Sequence, residues 1–179
     1  GAKKGKEYTE ALNLREGGVL KVWYKDNPKL FFVNQLERIE NVPLQVVYAS
    51  SQEPREGDAA HLTDGETSTI WHTMYSVTLA KYPHWVDFDA ASVKNMKGFI
   101  YTPRMDSYNG YVKDYEIYVS QDGKDWGEPV MKGSFEASGE AHKVMFEKPV
   151  KARYIRFRAL SEQRGNDYAS GAEFGLIAE

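Results

Sequence analysis

The stretch TDGETSTIWH, from Thr63 to His72, is crowded with oxygen donors. Asp64 brings a carboxylate, and Thr63, Thr67, Ser68 and Thr69 bring hydroxyls. Gly65 lets the chain bend so that main-chain carbonyls can turn inward. A hard cation such as Ca2+ takes roughly six to eight oxygens of these kinds. The stretch does not open an EF-hand loop, because Glu66 and Ser68 stand where such a loop needs Asp or Asn. Asp-Gly is also a common turn. From these residues alone, a plain turn and a cation loop both remain open.

Other chemistry is mostly excluded. The chain has no cysteine, so disulfides and thiolate nucleophiles are ruled out. It contains no G-x-S-x-G elbow, H-E-x-x-H pair, P-loop or G-x-G-x-x-G turn. With 26 acidic residues a glycosidase carboxylate pair could still be hidden, since the spacing of such a pair is set in space and not along the chain. The formal net charge of -3 favours neither nucleic acid nor an anionic membrane. One basic run, KPVKARYIRFR, sets charges two apart at Lys151 and Arg153 and again at Arg156 and Arg158, and reads as the solvated face of a strand.

The elements that would position these groups are strands. WVDFD, KGFIYTP, KDYEIYVS, HKVMFE and RYIRFR alternate with a period of two, so Tyr115, Ile117 and Val119 face inward together, as do Ile155 and Phe157. Asn109-Gly110, Asp122-Gly123 and Lys132-Gly133 supply turns between them. No segment keeps a helical period for three turns, so the expected fold is all-β, an antiparallel sandwich or jelly roll. Ahead of it, VLKVWY and KLFFV flank the turn signal KDNP and predict a hairpin, preceded by a charged tail of about 18 residues. No apolar run reads as a signal peptide or membrane span. Gly1 reads as the residue left by tag removal, so the chain is expected to be a piece of something longer.

AAHLTDGETSTIWH, YPHWVDFD, GFIYTPRMDSYNGYVKDYEIYVSQDGKDW, ARYIRF and ASGAEF occur in the order and approximate spacing of F5/8 type C (discoidin-like) domains. The chain most closely resembles the bacterial family 32 carbohydrate-binding modules of secreted glycoside hydrolases. The resemblance covers about residues 43–179 and implies a β-sandwich jelly roll of the discoidin, galactose-binding-like kind. Residues 1–42 are then a tail and hairpin extension, or a remnant of a preceding region. The family's structural calcium loop falls on His61 and Glu66 (carbonyls), Asp64 (carboxylate), Thr69 (hydroxyl and carbonyl), Ala172 (carbonyl) and Glu173 (carboxylate).

The resemblance also implies a shallow sugar site made of His72, Tyr75, Arg104, Asn109 and Tyr168. A guanidinium can donate two parallel hydrogen bonds to neighbouring ring hydroxyls, and an amide both donates and accepts. A histidine beside an axial hydroxyl favours galactose-type rings, and the tyrosines offer flat faces to the C–H side of a pyranose. Each residue also has a plainer reading: His72 bonded to a loop carbonyl, the tyrosines packing, Arg104 paired with Asp106. Trp71, Trp85 and Trp126 read as packing residues. Tyr75 stands where the family often has Trp.

The implied function is a non-catalytic carbohydrate-binding module for terminal galactose or N-acetylgalactosamine. Its parent would be a secreted bacterial glycoside hydrolase acting as catalytic partner in cis, and its place secreted, periplasmic or at the cell surface. Two alternatives are a protein- or phospholipid-binding discoidin domain and a fragment of a glycosidase catalytic region. Loops expected to be polar argue against the first.

Overall fold

The computed structural model describes residues 18–24, 27–36 and 41–179. The chain divides into two units, Gly1–Glu40 and Asn41–Glu179. In the first, β1 (Gly18–Tyr24) and β2 (Asn27–Leu36) pair antiparallel, with Gly18 opposite Leu36 and Trp23 opposite Phe31. This is the expected hairpin; the expected tail before it lies outside the described residues.

The second unit starts with β3 (Asn41–Val42), two residues ahead of the expected boundary. Then come β4 (Gln45–Ala49), a 3-10 turn (Ala59–Thr63), β5 (Trp71–His72), β6 (His84–Thr102) and β7 (Asp114–Ser120). The chain ends with β8 (Met131–Ser134), β9 (His142–Ala159), β10 (Ser170–Gly171) and β11 (Glu173–Ala178). Strands run in the order β3-β11-β6-β9-β7-β8, with β4 also on β6, while β5 and β10 form a separate short ribbon. Every named strand pair is antiparallel.

The two longest strands bend the sheet into a sandwich. β6 breaks register with β9 between Asp89 and Lys94, where Ala91 takes a φ of 62° and its N–H donates to Asp89 Oδ1 at 2.7 Å. The first half of β6 therefore pairs with β4, and the second half with β11. A bulge of this kind raises twist and re-aims a strand.

Between the layers lies an aromatic core. Phe99 is fully buried, its ring 5.5 Å from both Tyr115 and Phe174 and 6.3 Å from Phe157. Phe88 stacks on Phe174 at 4.5 Å, and Tyr115 on Phe135 at 4.2 Å. Tyr115, Ile117, Ile155 and Phe157 are buried as their alternation requires, and Val119 packs against the cluster.

Charge sits on the outer face. Arg153 and Arg156 make two-pronged pairs with Asp89 and Asp87, and Arg158 donates to Glu116 at 2.9 Å. The three arginines of the basic run are thus each paired with a carboxylate on a neighbouring strand. Of the tryptophans, Trp71 is core, and its Nε1–H donates to Ser51 O at 2.9 Å. Trp85 and Trp126 both lie against the Arg156 guanidinium, at 5.4 and 4.2 Å.

Candidate functional site

One end of the sandwich gathers the loops around the β5–β10 ribbon. Trp71 anchors β5 in the core, which fixes the next residue, His72, opposite Ser170 of β10. On its other side, His72 main-chain O accepts from Glu53 N at 2.7 Å. His72 itself is only 4% exposed. Its Nδ1 lies 2.7 Å from Thr73 O, so Nδ1 carries the proton and Nε2 keeps a lone pair. Burial, and then the Arg104 charge, hold this imidazole below its ordinary pKa despite the Thr73 bond, which keeps it neutral.

Two tyrosines close around that ring. Tyr75 meets His72 edge-on at 5.1 Å, Tyr168 lies 5.5 Å from it, and the tyrosine rings are 6.3 Å apart. Tyr75 is 43% exposed and its hydroxyl donates to Glu56. Tyr168 is half-buried, with its carbonyl accepting from the Tyr82 hydroxyl. The Arg104 charge reaches both His72 and Tyr75. Its plainer reading also holds, because Nε and Nη2 donate to Asp106 at 2.7 Å each. That pair uses two of the five guanidinium N–H groups and leaves the Nη1–Nη2 edge for another acceptor.

Asn109 joins through the ribbon. Ser170 Oγ–H donates to Asn109 O at 2.7 Å, and Ser170 N–H donates to Gly110 O at 2.9 Å. Gly110 has φ +82°, and a Cβ there would stand 2.7 Å from Ser170 Oγ, so only glycine fits this approach. The Asn109 side chain faces solvent. The structure therefore gathers His72, Tyr75 and Tyr168 directly, holds Arg104 within electrostatic reach, and ties Asn109 to the strand beside His72.

Residues the sequence did not single out hold these loops in place. Glu53, 4% exposed, accepts from Tyr75 N at 2.7 Å, from Ser76 N at 3.0 Å and from the Ser76 hydroxyl. Burial raises its pKa, but these donors outweigh burial and hold it below the ordinary range. Glu162, 2% exposed, accepts from Arg164 N at 2.7 Å and Asn166 N at 3.0 Å. A groove of about 380 Å³ runs beside Tyr75, between Glu53, Pro54, Arg55, Glu56 and Val77. The loops are also less polar than expected: Val77, Met105 and Tyr108 are 73%, 70% and 59% exposed. Single apolar residues scattered through polar loops carry no sequence period that would reveal them.

The oxygen-rich loop runs from the 3-10 turn into β5. Asp64 accepts from Glu66 N at 2.8 Å and from Thr69 Oγ at 2.7 Å, and Gly65 has φ +82°. His61 Nδ1 is engaged by Ile70 O at 2.7 Å, which leaves its main-chain carbonyl as a possible ligand. The Asp64 carboxylate meets that of Glu173, whose Oε1 is buried with no hydrogen-bond partner. Burial, and then Asp64, push Glu173 up to about 7. Two facing carboxylates with an orphaned oxygen are what a cation relieves. Among the described residues no three His, Cys, Asp or Glu side chains cluster for a metal, so the donor set would rest mainly on carbonyls and the Thr69 hydroxyl. That is the oxygen chemistry of Ca2+ rather than the nitrogen and sulfur chemistry of Zn2+.

The family model for the F5/8 type C domain matches residues 46–174. The chain is 37% identical over 151 residues to a sialidase of Micromonospora viridifaciens, covering 82% of the chain and 23% of that protein. It is 37% identical over 117 residues to a galactose oxidase of Gibberella zeae, covering 64% of the chain and 17% of the oxidase. The chain thus spans less than a quarter of the length of these relatives. Among solved structures, CpGH89CBM32-5 from Clostridium perfringens, in complex with GalNAc-β-1,3-galactose, superposes with a TM-score of 0.71 at 29% identity, over 78% of this chain and all of that one. The family 32 CBM from C. perfringens NanJ, in complex with galactose, shares the fold with a TM-score of 0.67 at 24% identity, over 76% of this chain and 96% of that one. On the sandwich, its loop cluster and the extent of the match, the chain belongs to the F5/8 type C domain family.

Proposed function

We propose that residues 41–179 form a non-catalytic carbohydrate-binding module for a terminal galactose or N-acetylgalactosamine. The observation that carries this reading is the His72–Tyr75–Tyr168 ring cluster with the Arg104 charge beside it. A neutral His72 accepts from a sugar hydroxyl at Nε2, while the free edge of Arg104 donates to adjacent ring oxygens. Tyr75 and Tyr168 flank the apolar side of the ring and exclude water beside the polar contacts. Asn109 donates and accepts at the rim. Binding needs no nucleophile or proton transfer. A shallow site of this kind holds one sugar weakly, on the order of 0.1–1 mM, or about 4–5.5 kcal/mol.

The galacto-configured ligands of the two clostridial structures support the choice of sugar. In this reading the module serves a larger extracytoplasmic glycoside hydrolase, raising the local concentration of catalyst at its glycan. Among the described residues no helix is long and apolar enough to cross a membrane. A structural Ca2+ would be held by Asp64, Glu173, the Thr69 hydroxyl and the carbonyls of His61, Glu66, Thr69 and Ala172. It would neutralise the facing carboxylates and tie the Asp64 loop to the start of β11.

Calorimetry against galactose, N-acetylgalactosamine, glucose and mannose tests the reading. Millimolar or tighter binding of the galacto sugars, lost in His72→Ala, is expected; equal binding of all four, or none, overturns it. Exposed Val77 and Leu79 beside Tyr75 favour a phospholipid-binding alternative. Co-sedimentation with phosphatidylserine vesicles would bear that alternative out.

A further inference from the structure

The ring cluster accounts for only part of the two loops that build it. Residues 103–110 carry Arg104 and Asn109, and between them present Met105 and Tyr108 to solvent, 70% and 59% exposed. Residues 161–169 carry Tyr168 and, four positions earlier, Arg164, also exposed. These loops meet a second time at their outer edge. The Arg164 guanidinium lies over the Tyr108 ring at 5.3 Å, and the Tyr111 ring lies 5.2 Å from that of Tyr108. Tyr111 in turn donates from its hydroxyl to Arg104 O at 2.8 Å, which links this edge to the sugar-contacting residue.

Arg164 differs from Arg104 and from the arginines of β9. Arg104, Arg153, Arg156 and Arg158 each pair with a carboxylate. Among the described residues none pairs with Arg164. Its nearest acidic neighbour in sequence, Glu162, is buried and spends Oε2 on the loop amides of Arg164 and Asn166. The carboxylate thus fixes the main chain beneath the arginine and leaves its charge unneutralised. Lys81 pairs with Asp167 on the same loop, and Arg104 with Asp106 on the other. Stacking on Tyr108 occupies the face of the Arg164 guanidinium and leaves its N–H edges open. An edge of that kind takes a planar or forked anion through two parallel bonds.

We propose that the site extends past Asn109 into a second subsite, formed by Arg164 stacked on Tyr108, that binds a carboxylate or sulfate on the sugar next to the terminal galactoside. This subsite rests on the galactoside reading above. It makes the module a reader of acidic glycans, with a neutral first sugar and an anionic second one.

The full chain, titrated calorimetrically with galactose, lactose, lactobionate and 6-sulfated lactose, tests it. Lactobionate carries a carboxylate beside the galactose and the sulfated sugar a sulfate, so the two arms separate the anions. At least one anionic ligand binds roughly three- to tenfold tighter than lactose, an advantage that shrinks with added salt. In Arg164→Ala the ratio of anionic to neutral affinity collapses toward one. Arg164→Lys keeps only part of it, since a point charge lacks the fork. Equal affinities for lactose and both anions in the unaltered chain overturn the subsite, as does an advantage that survives Arg164→Ala with the melting temperature unchanged. Either result leaves galactose binding standing. Failure of galactose and lactose to bind the unaltered chain overturns the galactoside reading, and this subsite with it.

Discussion

Replacing Gly110 with alanine tests whether the Asn109 loop is held by close contact with the ribbon. Two costs add. A side chain at φ +82° carries roughly 1–2 kcal/mol of left-handed strain. The new Cβ would also lie 2.7, 2.8 and 2.9 Å from Ser170 Oγ, N and Cβ, and forcing such crowding costs about 1–3 kcal/mol more. Gly127→Ala supplies the control, because its φ is also left-handed, at +53°, and nothing lies within 4 Å of the added methyl. The difference between the variants, about 1–3 kcal/mol, isolates the contact with Ser170. At a urea dependence of about 2 kcal/mol per molar, the midpoint of Gly110→Ala falls roughly 0.5–1.5 M below that of Gly127→Ala. Since Ser170 faces His72, the same change weakens galactose binding, and Gly127→Ala does not. Matching midpoints, or unimpaired binding by Gly110→Ala, would show that the two loops are positioned independently.

Acidity acts through His72. Because burial lowers its pKa, Nε2 remains an acceptor down through the ordinary histidine value near 6.5, so galactose affinity is flat from pH 8 to 6.5 and declines only below that. At His72 and the similarly buried His84 the unfolded chain takes up protons before the folded one does, so these two groups withdraw stability as pH drops below about 6.5, whereas Glu173, raised to about 7, acts in the opposite sense; affinity that rises on acidification, followed by calorimetry, contradicts the neutral imidazole. Chelation with EDTA should lower the melting temperature by about 5–10 °C, the effect of losing a ligand present at roughly a hundred times its dissociation constant. Asp64→Asn should melt at one temperature with or without Ca2+, and scanning calorimetry that finds no shift in the unaltered chain removes the cation. Phe99→Ala opens the centre of the aromatic core and should cost about 3–5 kcal/mol in urea unfolding, whereas a loss under 1 kcal/mol would mean the core refills.

The strands were legible because alternation is a local signal. Tyr115, Ile117, Ile155 and Phe157 declared an inner face one residue in two, and their burial follows. The tryptophans were legible as packing residues, but not as the two plates that hold Arg156. The candidate site was legible only through family resemblance, since its members come from separate connections and share no period. What stayed hidden were residues acting on main-chain amides. Glu53 and Glu162 look like ordinary loop acids in SSQEPREG and SEQRGND, yet each is buried and organises a loop. Ser170, which touches both Asn109 and Gly110, lies some 60 residues away from them along the chain, and one sequence offers no sign of that meeting. The apolar side chains exposed on the loops are hidden for a related reason. Average composition says nothing about whether Val77 or Met105 finds a neighbour.

The pairing of β3 with β11 sets Asn41 across from Ile177 and Val42 across from Leu176. The chain therefore enters and leaves the sandwich side by side, separated by little more than the spacing of adjacent strands. A unit wired this way can be spliced into a surface bend of a host protein, or strung among other beads, without prying the host's flanking segments apart.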